Sequence, residues 1–81
     1  MINVLFFAQV RELVGCDSLS LEGEFSDVES LRRALVDRGD RWALALAPGK
    51  LLCAVNQTLV PVTHSLRDGD EVAFFPPVTG G

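Results

Sequence analysis

The C-terminal segment LRDGDEVAFFPPVTGG (Leu66–Gly81) carries the strongest indication of the fold. Asp68–Gly69 is typical of a tight turn, and Glu71–Phe75 predicts a final strand after it. Pro76 and Pro77 then fix φ and hold the backbone extended. The final strand is therefore expected to lead directly into a projecting tail.

The rest of the chain predicts four further strands around one main helix. Ile2–Phe7 is almost continuously apolar, so we expect a central strand covered on both faces. Ser26–Gly39 is expected to form the main helix, with a Ser26/Glu29 capping box at its start and Gly39 as its left-handed cap. The remaining predictions are a helical turn ending at Gly15, a strand over Asp17–Gly23, another helical turn over 40–47, and a strand pair around Asn56–Gln57 whose second strand Pro61 places at a sheet edge.

This order of elements predicts an α+β fold in which the main helix packs across one face of a mixed sheet. Residues 1–75 would form the domain and residues 76–81 a flexible extended tail. If the first and last strands are central, they are adjacent and parallel and end at the same sheet edge. Phe7 and Phe75 would then meet at the root of the tail, flanked by Arg11 and Pro76.

The same pattern predicts a partner-binding surface at the root of the tail. Successive side chains of a strand point to opposite faces, so Phe74 is assigned to the core and Phe75 to the exposed face. Leu59, in the adjoining strand pair, would extend this apolar patch, and Arg11 would supply a polar contact at its rim. Exposed aromatic patches on small domains usually mark interfaces.

Composition narrows the class of partner. The chain has 81 residues and a net charge of −4, and its seven basic residues are scattered. Nucleic-acid binding requires clustered positive charge and is not expected. The apolar runs are too short or too polar to cross a membrane. The start, MINVLFFAQVRE, has no Lys or Arg before its apolar stretch, which favours a cytoplasmic protein over a secreted one.

No convincing set of catalytic residues is visible. His64 stands alone without ligands at metal spacing, and Asp68–Asp70 matches only part of a calcium loop. Cys16 and Cys53 lie far apart, and we interpret Cys53 as a small buried apolar residue. No glycine-rich phosphate loop precedes a helix. We therefore expect neither a metal nor a bound cofactor.

The tail itself is the remaining candidate for chemistry. The six residues Pro76–Gly81 reach at most about 20 Å when extended. Val78 and Thr79 are β-branched and favour extension. Gly80 and Gly81 have no Cβ, so this end can enter a narrow channel and deliver the terminal carboxylate. A carboxylate is a poor electrophile and would need activation, usually adenylation with ATP by another protein.

Three segments, VLFFAQVRELVG, AVNQTLV and LRDGDEVAFFPPVTGG, resemble the small, sulfur-carrier subunit of molybdopterin synthase, in the ubiquitin-like β-grasp group. The resemblance spans essentially the whole chain. D-G-D-x-V followed by a V-x-G-G end is shared with other sulfur carriers. The ending FFPPVTGG is closer to the molybdopterin branch.

The resemblance implies a function centred on Gly81. An E1-like enzyme would adenylate Gly81 with ATP, and a sulfur donor would convert it to a thiocarboxylate. The tail would then enter the large subunit and give sulfur to cyclic pyranopterin monophosphate, forming the molybdopterin dithiolene. The complex of this family is a heterotetramer of two small and two large subunits, and the catalytic groups belong to the large one. Two alternatives stay open: a sulfur carrier for thiazole or tRNA thiolation, and a ubiquitin-like protein modifier.

Overall fold

The computed structural model describes residues 1–47 and 51–77. Five strands and three short helices follow one another in these ranges: β1 (Ile2–Phe6), α1 (Ala8–Val14), β2 (Ser18–Leu21), α2 (Val28–Val36), α3 (Asp40–Ala45), β3 (Leu52–Val55), β4 (Thr58–Val60) and β5 (Glu71–Phe75). Within these ranges, none of the helices has the length and apolar character needed to cross a membrane.

The strands form one mixed sheet in the order β2-β1-β5-β3-β4. The predicted central, parallel pairing of the first and last strands is confirmed, with Phe6 opposite Phe74. The other three pairings are antiparallel. The edge position of the strand before Pro61 is also confirmed, since β4 pairs only with β3 among the described strands.

The helices cover one face of this sheet, as predicted for the α+β class. Alternate strand residues point to that face and are almost fully buried: Ile2, Val4, Phe6, Cys53, Val55, Val72 and Phe74. Val28, Leu31 and Leu35 of α2 join the same apolar cluster. Trp42 of α3 meets Phe6 edge to face, with ring centroids 5.5 Å apart. The sheet and the helix layer therefore share one core.

The prediction that β1 is covered on both faces is wrong. Asn3 is exposed and Leu5 only half-buried, and no described element lies over their side of the sheet. The apolar run of β1 indicated a central strand correctly. It overstated burial, because in this fold helices pack on one face only.

The main helix is shorter than predicted at both ends. Its N-cap is Asp27, which accepts a hydrogen bond from the Ser30 backbone N–H at 2.8 Å. The Ser26/Glu29 capping box is therefore wrong, and Glu29 pairs instead with Arg32. Gly39 is not the C-cap either, because the helix ends at Val36 and Gly39 directly precedes α3 with φ 155°. By contrast, the predicted end of the first helical turn at Gly15 is confirmed, and Gly15 is left-handed, at φ 79°.

Arg32 of α2 connects this helix to the end of α3 by hydrogen bonds. Its side chain is 10% exposed and binds both carboxylate oxygens of Glu29, at 2.6 and 2.8 Å. Its Nη1 also donates to the backbone oxygen of Leu46 at 2.9 Å, which joins α2 to the end of α3. The hydrogen bonds from Arg32 hold the pKa of Glu29 below its ordinary value.

The hairpin between β3 and β4 anchors the start of β5. Asn56 and Gln57 both have positive φ, 50° and 69°, as a type I′ turn requires. The Asn56 amide donates to Asp70 and its oxygen accepts from the Glu71 backbone N–H, both at 3.0 Å. This end of β5 is thus held by polar contacts, while its other end leads into the tail.

Candidate partner-binding site at the root of the tail

Two phenylalanines flank the point where the tail leaves the sheet. β1 and β5 run parallel, and the backbone N–H of Phe7 donates to the Phe74 oxygen at 3.2 Å. Phe7 is 46% exposed while Phe74 is fully buried, and Phe75 is half-buried. The side chains of Phe74 and Phe75 thus have the orientations that strand alternation predicts. Their role in binding stays a prediction.

An apolar row crosses the uncovered side of the sheet beside these phenylalanines. The register places Leu5 opposite Ala73, Ala73 opposite Ala54, and Ala54 opposite Leu59. Leu59 is 63% exposed, so the predicted extension of the patch lies on the same side as Phe75. We call this side the open face; its apolar residues are Leu5, Phe7, Leu52, Ala54, Leu59, Ala73 and Phe75.

The open face is polar at the end remote from the tail. Asn3 and Ser20 are paired across β1 and β2, and the Ser20 hydroxyl donates to Asn3 at 2.9 Å. Glu71 lies opposite Asn3 on β5. Apolar side chains are therefore concentrated on the half of the open face from which the tail emerges.

Sequence reasoning missed Leu5, Ala54 and Ala73 as members of this surface. The available signal was β1 itself, since it carries apolar residues on both faces although the chain encodes one main helix. Alanine gave no signal, because its small side chain is common both in cores and on surfaces.

Arg11 lies on α1, the helix that follows Phe7. Its side chain is 52% exposed, and its Nε lies 3.8 Å from a carboxylate oxygen of Asp17. Such an exposed pair contributes little to stability, so the guanidinium is free to contact a partner. Its role at the rim of the interface stays a prediction.

The first two tail residues border a second apolar surface. Pro76 is half-buried and Pro77 exposed, and both line a groove with Leu13 of α1 and Leu44 of α3. Leu44 is 66% exposed and was not among the predicted site residues. The other predicted tail residues, Val78, Thr79, Gly80 and Gly81, lie outside the described residues.

The residues of ordinary catalytic chemistry do not converge here. Cys53 is 2% exposed, its thiol donates to the Val60 oxygen at 3.2 Å, and burial raises its pKa. Cys16 is half-buried and, like Cys53, is a free thiol. His64 is exposed in a loop. Within residues 1–47 and 51–77, no group of His, Cys, Asp or Glu is placed to hold a metal ion. What the described residues offer at the root of the tail is an apolar surface.

Comparison with known proteins identifies the class. The model of the ThiS family matches residues 4–81, and the chain belongs to this family. The chain is 67% identical over 81 residues to the molybdopterin synthase sulfur carrier subunit of Escherichia coli strain K12, covering 100% of both chains. The resemblance inferred from the three sequence segments is thereby confirmed.

Solved structures agree with the fold. One is a chain in the protein–protein complex of subunits 1 and 2 of molybdopterin-converting factor from Helicobacter pylori 26695. Its TM-score is 0.67 at 27% identity, and the match covers 99% of this chain and 97% of that chain. Another is small archaeal modifier protein 1 from Methanosarcina acetivorans, with a TM-score of 0.78, 26% identity, and coverage of 99% and 95% respectively. The predicted ubiquitin-like β-grasp fold is thus confirmed.

Proposed function

We propose that this chain is the sulfur-carrier subunit of a molybdopterin synthase. In this proposal an E1-like enzyme transfers AMP from ATP to the Gly81 carboxylate, releasing pyrophosphate. A sulfur donor then displaces AMP and leaves a thiocarboxylate. The large subunit uses the sulfur atoms of two such thiocarboxylates, one for each sulfur of the dithiolene, to build molybdopterin from cyclic pyranopterin monophosphate. These steps take place in the cytoplasm, and the working complex contains two small and two large subunits.

The observation that carries the proposal is the position of the apolar half of the open face. Phe7 and Phe75 lie at the ends of two parallel central strands, and the tail leaves from the second of them. A partner bound there is placed to receive the residues that follow Pro77. The likeness to subunit complexes and full-length carriers supports a large catalytic subunit as that partner.

The division of labour follows from the chemistry. A thiocarboxylate is a soft nucleophile, and attachment to a folded carrier keeps reactive sulfide out of solution. The described residues bring no acid, base and nucleophile together, so the carrier supplies recognition and delivery. Catalytic groups are assigned to the large subunit, and ATP is consumed by the activating enzyme.

Deletion of Gly80–Gly81 tests the proposal most directly. No described core residue belongs to the tail, so we expect the melting temperature to change by no more than about 2–4 °C (about 0.5 kcal/mol) while sulfur transfer is abolished. Intact mass after incubation with ATP, the activating enzyme and a sulfur donor reports loading. Conversion of the pterin by the large subunit reports transfer. A truncated chain that still supports transfer would refute the carrier role.

The cysteines provide the matched control. The double variant Cys16→Ser, Cys53→Ala keeps Gly81 and removes both thiols, so it should load as the wild type does. If the double variant keeps its fold but cannot be loaded, the sulfur is carried as a persulfide on a cysteine, and the thiocarboxylate hypothesis is wrong.

A protein-modifier role is the second candidate, because of the likeness to a small archaeal modifier protein. It predicts conjugates in which Gly81 is joined by an isopeptide bond to lysines of many proteins. Denaturing gels of cell extracts would reveal such a ladder. A single partner and efficient pterin conversion would favour the sulfur carrier.

A further inference from the structure

An apolar groove lies on the helix side of the tail root, opposite the open face. Its walls include Ala8 and Leu13 of α1, Leu44 and Ala45 of α3, and the tail-root residues Pro76 and Pro77. Leu44 is the most exposed of the large apolar residues that the structure describes, at 66%. Leu44 lies in the helix layer and is therefore not part of the open face.

The composition of the groove indicates what it can bind. Gln9 is the only described lining residue with a polar side chain. Small-molecule sites usually place several polar groups to orient a ligand, and this groove offers one amide. An apolar side chain from another protein matches this lining, because it needs no hydrogen-bond partner.

The groove and the open face meet at the root of the tail. Phe7 belongs to the open face and Ala8, the next residue, lines the groove; Phe75 and Pro76 are related in the same way. Ala8 has a φ of 53°, a left-handed conformation that is unfavourable for alanine. This turn is what takes the chain from the open face to the groove. Apolar surface therefore continues around the tail exit.

The length of the tail indicates how closely a partner must approach. Four residues follow Pro77, and four extended residues span at most about 14 Å. Gly81 can reach a reaction centre inside another protein only if the mouth of that centre lies against the tail root. Such a mouth surrounds the tail, so it covers the groove as well as the open face.

We propose that the groove between α1, α3 and Pro76–Pro77 is a second contact surface for the protein that receives the tail. It accepts a large apolar side chain from the rim of that protein's tail channel. This inference rests on the proposed carrier function and adds a surface to it: the receiving subunit grips the carrier on both sides of the tail exit.

The test is Leu44→Gln in the full-length chain, titrated calorimetrically with the large subunit. Glutamine keeps the size and helix propensity of leucine, and at an exposed position it should leave the fold unchanged. We expect the affinity to fall at least tenfold, because a buried amide would face apolar groups. Arg41→Gln, an exposed position on α3 outside the groove lining, is the matched control and should change the affinity less than threefold. Leu44→Ala should lie between Leu44→Gln and the wild type.

The outcomes separate this inference from the carrier function. Tight wild-type binding with unchanged affinity for Leu44→Gln would overturn the groove and leave the carrier role standing. Failure of the wild type to bind the large subunit would overturn both. A tighter complex for Leu44→Gln would identify the chain's own tail as the occupant. Self-association of the wild type that Leu44→Gln abolishes, measured by sedimentation, would identify a second copy. Either of the last two results would also refute the proposal.

Discussion

The two faces of the sheet differ in how far their apolar side chains are buried. On the covered face, Phe74 is fully buried beneath the helix layer and lies in register with Phe6, its ring stacked at 6.4 Å between centroids. On the open face, the next residue, Phe75, remains half-buried. The covered face is completed within the chain. The open face carries apolar side chains near the tail that no described element of the chain covers.

The difference shows that buried and more exposed side chains alternate within single strands. Alternation gives β1 and β5 one set of residues for the core and another for the open face, which we propose as the binding surface. Changes on the covered face should therefore alter unfolding, and changes on the open face should alter binding. Trp42, the one tryptophan of the chain, contacts Phe6 of the core and can report unfolding by its fluorescence.

Phe74→Ala should have the largest effect. Removal of a fully buried aromatic side chain leaves a cavity and typically lowers the free energy of unfolding by about 3–5 kcal/mol. Urea unfolding followed by Trp42 fluorescence measures the change. Phe75→Ala, one residue away, is the control and should lower it by no more than about 1 kcal/mol. Equal losses would end the distinction between the faces.

Arg32→Met should have the next largest effect and tests the helix layer. The change leaves Glu29 and the Leu46 oxygen without their buried donor, at a cost of about 1–3 kcal/mol in unfolding free energy. Arg33→Met is matched to it, because Arg33 also pairs with Glu29, at 3.3 Å, but is 75% exposed. Its effect should be within about 0.5 kcal/mol. Similar effects in urea unfolding would show that the buried link to α3 is unimportant.

Phe75→Ala should weaken binding while the fold persists. Truncation of an aromatic anchor is expected to reduce affinity for the large subunit at least tenfold, about 1.4 kcal/mol. Titration calorimetry gives this number, with circular dichroism as the check on folding. Unchanged affinity in the folded variant would place the interface elsewhere.

Protonation of Glu29 at low pH should produce the smallest change in the free energy of unfolding. Arg32 lowers the pKa of Glu29 from its ordinary 4.5, so the ionised form is stabilised by folding. That contribution is complete above pH 4.5 and is lost as the pH falls through the lower folded pKa. As the pH is lowered, the free energy of unfolding should decline less steeply for Glu29→Gln than for the wild type. Parallel curves would mean that the pair contributes nothing.

Local patterns predicted the elements that depend on neighbouring residues. Gly15 caps α1 because a left-handed position favours glycine, and the Asn56–Gln57 hairpin and the final strand followed from turn and alternation signals. The N-cap of α2 was misassigned between adjacent candidates. Ser26 and Asp27 both suit the position, and Glu29 pairs with Arg32, whose side chain also donates to the distant Leu46 oxygen.

The sequence by itself determined the class of fold, the parallel pairing of the end strands and the orientation of Phe74 and Phe75, because alternation and turn chemistry are local. Only the tertiary structure decided that one side of β1 stays open and that Leu44 joins Pro76 and Pro77 in a groove. These features depend on where helices distant in sequence come to rest against the sheet. The hydrophobic periodicity of a single segment does not predict where a distant helix packs.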